Sequence, residues 1–203
     1  MYTLMKPLST REELIKKKLY IFTPYDFERA FSLPKHKAKY FLEKESDSGL
    51  FLRLKKGLYS LKTDLPSEKE IANRLYQPSY ISFEYALAYY NILPEMPYSI
   101  TSATTKVTRT FTVANKAFSY STIKKEAYTG YVLIKQNGKS FLMAEPEKAL
   151  VDYLYFVVLG KKTKNDRLNI SSLNKEKLFE YASLYGRDKL IKLVKKLLVH
   201  GKA

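Results

Sequence analysis

Two consecutive stretches decide how this chain reads. The first is Ser32-Leu33-Pro34-Lys35-His36-Lys37-Ala38-Lys39-Tyr40-Phe41-Leu42. The second is Leu50-Phe51-Leu52-Arg53-Leu54-Lys55-Lys56-Gly57-Leu58-Tyr59-Ser60-Leu61. In the first, Ser32-Leu33-Pro34 is a tight turn, and a helix is predicted from Lys35 to about Glu45. Pro34, Ala38, Phe41 and Leu42 recur at helical spacing and form one inward face. Lys35, His36, Lys37, Lys39 and Tyr40 populate the opposite face. Ser46-Asp47-Ser48-Gly49 ends the helix. In the second stretch, Leu50, Leu52 and Leu54 alternate with Phe51, Arg53 and Lys55. Lys56-Gly57 is a turn signal, so the stretch reads as a β-hairpin with a basic tip.

Two helices are predicted upstream. Ser9-Thr10-Arg11-Glu12 has the pattern of a capping box, with a helix to about Lys18. Tyr20-Ile21-Phe22 is strand-like. Thr23 caps the next helix, Pro24 occupies its first position and Asp26 suits its positive end. Three short helices, a tight turn before the third, and a basic hairpin make a winged helix-turn-helix over residues 1–64. Such a helix enters the DNA major groove, where lysine donates to guanine acceptors. The expected DNA-binding residues are Lys35, His36, Lys37, Lys39, Tyr40, Arg53, Lys55 and Lys56. Read alone, His36 is an ordinary exposed residue.

Charge points the same way. The 203 residues carry a net charge of +16, and positive charge steers association with phosphate-rich partners. It is divided unevenly, with net +6 in residues 1–64, +2 in 65–160 and +8 in 161–203. The hydrophobic fraction of 45% and charged fraction of 28% are those of a globular protein. There is no cysteine, which excludes disulfides and thiolate metal sites. The N-terminus has no apolar run of signal-peptide length, and no segment approaches the roughly 20 apolar residues of a membrane span. A soluble cytoplasmic protein with no membrane partner is expected.

Beyond Asp64-Leu65-Pro66, a natural boundary, Ser67-Glu68-Lys69-Glu70 is a second capping box, opening a helix over 68–75. Ser82 is expected to cap a helix running to Tyr90, with Glu84 in its first turn. Strands are predicted through 98–113, 117–120 and 130–143, with Asn137-Gly138 as a tight hairpin turn. Glu145-Pro146 opens a long apolar helix to about Leu159. Lys161 to Asn169 reads as a polar linker before two closing helices near 174–184 and 187–199. The last places Leu190, Ile191, Val194, Leu197 and Leu198 on one face, with Arg187, Lys189, Lys192, Lys195 and Lys196 over much of the rest. The expected organisation is α+β: a winged helix-turn-helix over 1–64, a mixed α/β domain over 65–160, and a basic helical segment over 161–203.

The order of motifs resembles that of the AbiEi-type antitoxins of type IV toxin–antitoxin, or abortive-infection, systems. The residues carrying the resemblance are the hairpin Arg53-Leu54-Lys55-Lys56-Gly57-Leu58-Tyr59, then Pro78-Ser79-Tyr80-Ile81-Ser82-Phe83-Glu84-Tyr85-Ala86-Leu87. Thr105-Lys106 and Arg109-Thr110-Phe111 follow, and Ala144-Glu145-Pro146-Glu147-Lys148-Ala149-Leu150-Val151-Asp152 comes last. The resemblance covers about residues 10–160; the 161–203 segment matches no motif of the family. It implies a winged helix that binds inverted repeats in double-stranded DNA upstream of its own operon and represses it. It also implies an α/β domain that counteracts a nucleotidyltransferase-like toxin, without stable binding being required. Ser79, Tyr80, Ser82, Glu84, Lys148 and Asp152 are the residues it assigns to antitoxin function.

No nucleophile elbow, phosphate loop, dinucleotide-binding glycine pattern or paired-histidine metal motif is present, so neither catalysis nor a cofactor is expected. Carboxylates such as Glu84, Glu126 and Asp152 would have to carry an enzymatic alternative. Lys148 and Asp152 are spaced i, i+4 and read as a structural salt bridge. A plain winged-helix regulator with a ligand- or partner-sensing C-terminal domain, and no toxin, is the competing reading.

Overall fold

The computed structural model describes residues 6–200. Residues 1–5 and 201–203, the extreme ends of the first and last expected segments, lie outside the described residues. The chain divides after Leu75 into two compact units. The division falls beyond Asp64-Leu65-Pro66, because the helix following that boundary belongs with the first unit.

The first unit contains α1 (Pro7–Lys16), β1 (Ile21–Phe22), α2 (Pro24–Phe31), α3 (Lys35–Asp47), β2 (Phe51–Lys55), β3 (Leu58–Leu61) and α4 (Glu68–Leu75). β3 lies between β1 and β2 in an antiparallel sheet. Leu14, Phe22, Phe27, Ala38, Leu42, Phe51, Tyr59 and Leu61 form its core. Phe22, Phe27 and Phe51 meet there at ring separations of 5.5–6.0 Å, a geometry that adds to simple burial. The α2 cap is as expected: Thr23 accepts from the Asp26 amide while the Asp26 carboxylate accepts from the Thr23 amide. Ser67 and Glu70 close the same kind of box on α4.

Two local readings are corrected. α1 starts at Pro7, ahead of the proposed Ser9 cap, and ends at Lys16. Proline suits a first helical position, and the Ser9 and Thr10 hydroxyls instead donate back to the Lys6 carbonyl. In the hairpin, Phe51 and Leu54 are the buried pair and Leu52 is only half-buried. The register shifts between Arg53 and Lys55, and a bulge of this kind switches which residues face inward.

The second unit contains β4 (Ser79–Ile81), α5 (Phe83–Tyr89), β5 (Ile100–Thr104), β6 (Arg109–Val113), β7 (Lys116–Thr122), β8 (Tyr131–Gln136), β9 (Lys139–Ala144), α6 (Pro146–Val158), α7 (Lys175–Ser183) and α8 (Asp188–His200). Its sheet runs β6-β7-β5-β4-β9-β8, mixing parallel and antiparallel neighbours. Asn137 and Gly138 both take positive φ at the β8–β9 turn, as a two-residue hairpin of this type requires. α5 and α6 pack on each other and against β5 and β9, and α7 and α8 pack on α6. α7 and α8 thus pack into the second unit. Tyr181 and Lys177 of α7 both donate to the Glu145 carboxylate at the start of α6, at 2.7 and 2.9 Å. The Lys177 bond is the first cause holding the Glu145 carboxyl below its ordinary pKa.

Ser82 occupies the N-cap position of α5 but its side chain makes no cap. Thr101 of β5 does the capping from outside. Its hydroxyl accepts from the Tyr85 amide at 3.1 Å and donates to the Ser82 carbonyl at 2.6 Å. Phe83, between these residues, sits at φ 57. That region is costly for a bulky side chain and persists only when its surroundings over-determine it. Replacing Thr101 by Val keeps the shape and deletes both bonds, and is expected to cost about 1–2 kcal/mol in urea unfolding. Thr101→Ser should retain most of the stability; a Val variant as stable as the natural chain would show that the cap contributes nothing.

Candidate functional site

The first unit has basic residues on the early part of α3 and on the hairpin, and a further exposed run, Lys16, Lys17 and Lys18, at the end of α1. Lys35, His36, Lys39 and Tyr40 are exposed on α3, Tyr40 to 68%. The helix has no acid in its first turn and no side-chain cap at Pro34. Cations at a positive helix end are unfavourable, and an incoming anion relieves that. Further along the same side the sign changes to Glu43 and Asp47. Lys39 lies only 4.0 Å from Glu43, and both are largely exposed, so the pair adds little stability. Lys56 is exposed at the hairpin tip, next to Gly57, whose φ of +75 the turn requires.

The remaining residues expected at this surface are placed differently. Lys37 is half-buried. Lys55 is also half-buried and donates to the Leu75 carbonyl at 2.5 Å, tying the hairpin to the end of α4. Its ammonium therefore has a structural task away from the tip, a correction to its expected role. Arg53 is exposed but lines a groove shared with Glu43, Asp47 and Lys62. Lys35, His36, Lys39, Tyr40 and Lys56 thus remain as the exposed group on α3 and the tip.

The second constellation is buried in the second unit. Lys148 and Asp152 of α6 have no solvent exposure and form an ion pair. Asp152 Oδ1 also accepts from the Tyr185 hydroxyl at 2.5 Å. Oδ2 accepts from Tyr80 at 3.0 Å and from Ser82 at 2.7 Å. Four donors thus fill the roughly four acceptor sites of one carboxylate. The Lys148 ammonium donates additionally to Tyr185 at 3.3 Å and faces its ring at 5.1 Å and the Tyr80 ring at 5.8 Å. Burial pushes the Lys148 pKa down against the opposing pull of Asp152. Burial and then the Asp152 charge push both tyrosines well above their usual value, so both remain protonated donors.

Four of the six residues assigned by the resemblance, Tyr80, Ser82, Lys148 and Asp152, therefore meet in one network. The other two do not join it by any hydrogen bond. Glu84 is paired with Lys162, and one of its carboxylate oxygens is buried without a hydrogen-bond partner among the described residues. The Ser79 hydroxyl, like that of Ser102 on the neighbouring strand, is buried and unpartnered among the described residues. Sequence reasoning missed Tyr185 and Thr101. Thr101 is one threonine among many in a strand. Tyr185 stands in the short turn between α7 and α8, and its only local signal is a large aromatic ahead of Gly186.

Comparison with models of known protein families gives no match, and comparison with curated proteins gives none either.

With both charged groups buried, removing one partner strands the other. Asp152→Ala is expected to lower unfolding free energy by about 3–5 kcal/mol, read by urea denaturation. The double replacement Lys148→Met with Asp152→Leu should recover part of that loss, because no charge is left unpaired although the Tyr80, Ser82 and Tyr185 hydroxyls lose their acceptor. If the double variant is as unstable as the single, the carboxylate is not holding the network through its charge.

Proposed function

We propose that the chain is a DNA-binding antitoxin. In this reading its first unit is a winged helix-turn-helix that represses its own operon, and its second unit counteracts a nucleotidyltransferase-like toxin. One observation carries the DNA-binding part: Lys35 and Lys39 are exposed at the early end of α3 and Lys56 at the hairpin tip, while the later part of α3, with Glu43, Lys44, Glu45 and Asp47, is net acidic. In helix-turn-helix proteins the N-terminal residues of the recognition helix contact base edges. On this reading Lys35, Lys39 and Tyr40 make such contacts, and Lys56 meets flanking phosphate as part of a wing. The acids Glu43 and Asp47 would repel phosphate, which supports an approach by the first half of the helix only.

The antitoxin part rests on the resemblance. It is supported by the way Pro78–Leu87 and Ala144–Asp152, far apart in sequence, are joined through Tyr80, Ser82, Lys148 and Asp152. Motifs that share one network read better as one unit than as two chance matches. Lys148 and Asp152 lie beneath the surface, so toxin neutralisation would depend on the surface that the network holds in shape.

DNA binding is tested by gel-shift titration on the native upstream region and on scrambled duplex. The natural chain should prefer the upstream DNA. Lys35→Ala or Lys39→Ala should cost about 1–3 kcal/mol on that DNA and relax the preference, while Lys56→Ala should weaken both DNAs alike. Equal affinity of the natural chain for both duplexes would contradict the reading.

The two roles are tested by expressing the neighbouring toxin from an independent promoter. The full chain should restore growth, and so should the Lys35→Ala/Lys39→Ala variant, although that variant no longer represses. Loss of rescue together with repression would contradict separate roles for the two units.

A further inference from the structure

We propose that α8 is a second phosphate-contacting surface, which binds nucleic acid without regard to sequence. The second unit carries the larger share of the charge, net +10 over residues 76–203 against +6 over 1–75. Four of its cations, Lys189, Lys192, Lys195 and Lys196, are on α8. Leu190 and Val194 are fully buried against the unit, and Ile191, Leu197 and Leu198 are half-buried on the same side. Lys189, Lys192 and Lys195 are exposed on the opposite side. Among the described residues none of these three is paired with an acid, and Asp188 is the one acid within the helix. Structural demand accounts for the apolar face and leaves the cationic face unexplained.

The partner follows from geometry and charge. From Lys189 to Lys195 the helix rises about 9 Å at 1.5 Å per residue. Duplex DNA carries a negative charge about every 1.7 Å along its axis, so the three ammonium groups can meet several phosphates at once. An anionic membrane would also attract lysines, but an interfacial helix holds itself there by burying its apolar face among lipids. The apolar face of α8 is already committed to the protein interior. Lysine stems and ammonium groups alone remain, which suits a phosphate backbone. The surface is independent of the α3 reading, since it needs no operator and no winged helix.

The test uses the full-length chain and a Lys189→Gln/Lys192→Gln/Lys195→Gln variant. All three side chains are exposed, so circular dichroism and melting should match those of the natural chain. Affinity is measured on the upstream duplex and on unrelated duplex at several salt concentrations, with phosphatidylserine vesicles as a separate arm. The slope of log affinity against log salt should become shallower by about 2–3, since each phosphate contact contributes about 0.9. The drop should be the same on both duplexes, and the preference between them unchanged. An unchanged slope on nucleic acid overturns the proposal and leaves a solvated face; a loss confined to the vesicles overturns it in favour of a lipid surface. A natural chain without sequence preference, whose salt slope still drops in the variant, would sink the α3 reading and keep this one. Preference without any α8 effect would do the reverse.

Discussion

The Asp152 carboxylate is the interaction on which the second unit depends. It is fully buried, and a buried charge is tolerable only when its hydrogen-bonding capacity is filled and its charge opposed. Meeting that demand draws in Lys148 from the same helix, Tyr80 and Ser82 from the strand β4 and its exit, and Tyr185 from the turn before α8. The consequences spread outward. Ser82, drawn to the carboxylate, makes no side-chain cap on α5, and Thr101 takes over that task from the next strand. Tyr185, drawn inward, brings the C-terminal helices into the same body, and its ring stacks on Tyr155 at 4.2 Å. Such a network specifies one arrangement of α6 against the sheet, because every alternative leaves a charge or a hydroxyl unpaired.

The first unit is organised by aromatic packing. Phe22, Phe27, Phe41, Phe51 and Tyr59 surround one core, and no comparable buried ion pair is found among its described residues. Its charge is carried on the outside and is graded along α3 from basic to acidic. The two units thus divide the work in the proposed function. In that reading one presents cations to a DNA site, and the other is built around the buried Asp152 network, with four of its own cations on α8.

Much of this was legible in the sequence because local chemistry decided it. The Thr23 cap, the Ser67–Glu70 box, the Asn137-Gly138 turn and the apolar stripe of α8 each depend on residues a few positions apart. So does the Lys148–Asp152 pair, read as a structural salt bridge from its i, i+4 spacing alone. What could not be read depends on contacts across the chain. Ser82 has the form of a cap, and only the presence of Asp152 seventy residues later diverts it. Lys55 has the form of a hairpin-tip cation, and only the position of Leu75 draws it away. Alternation in β2 failed at a bulge, which shifts the inward set without marking itself in the residues. Tyr185 had only the aromatic-before-glycine pattern as a local signal, since the demand it satisfies belongs to another helix.

The central claim is that DNA meets the early half of α3 and the hairpin tip while the Asp152 network stays internal. Amide chemical-shift changes in the labelled full-length chain, on adding the upstream duplex, report on both at once. The account requires the largest specific changes at residues 35–40 and 56–57, with the amides of Tyr80, Ser82, Lys148 and Asp152 nearly still. Changes centred on the network residues, with α3 silent, would contradict it.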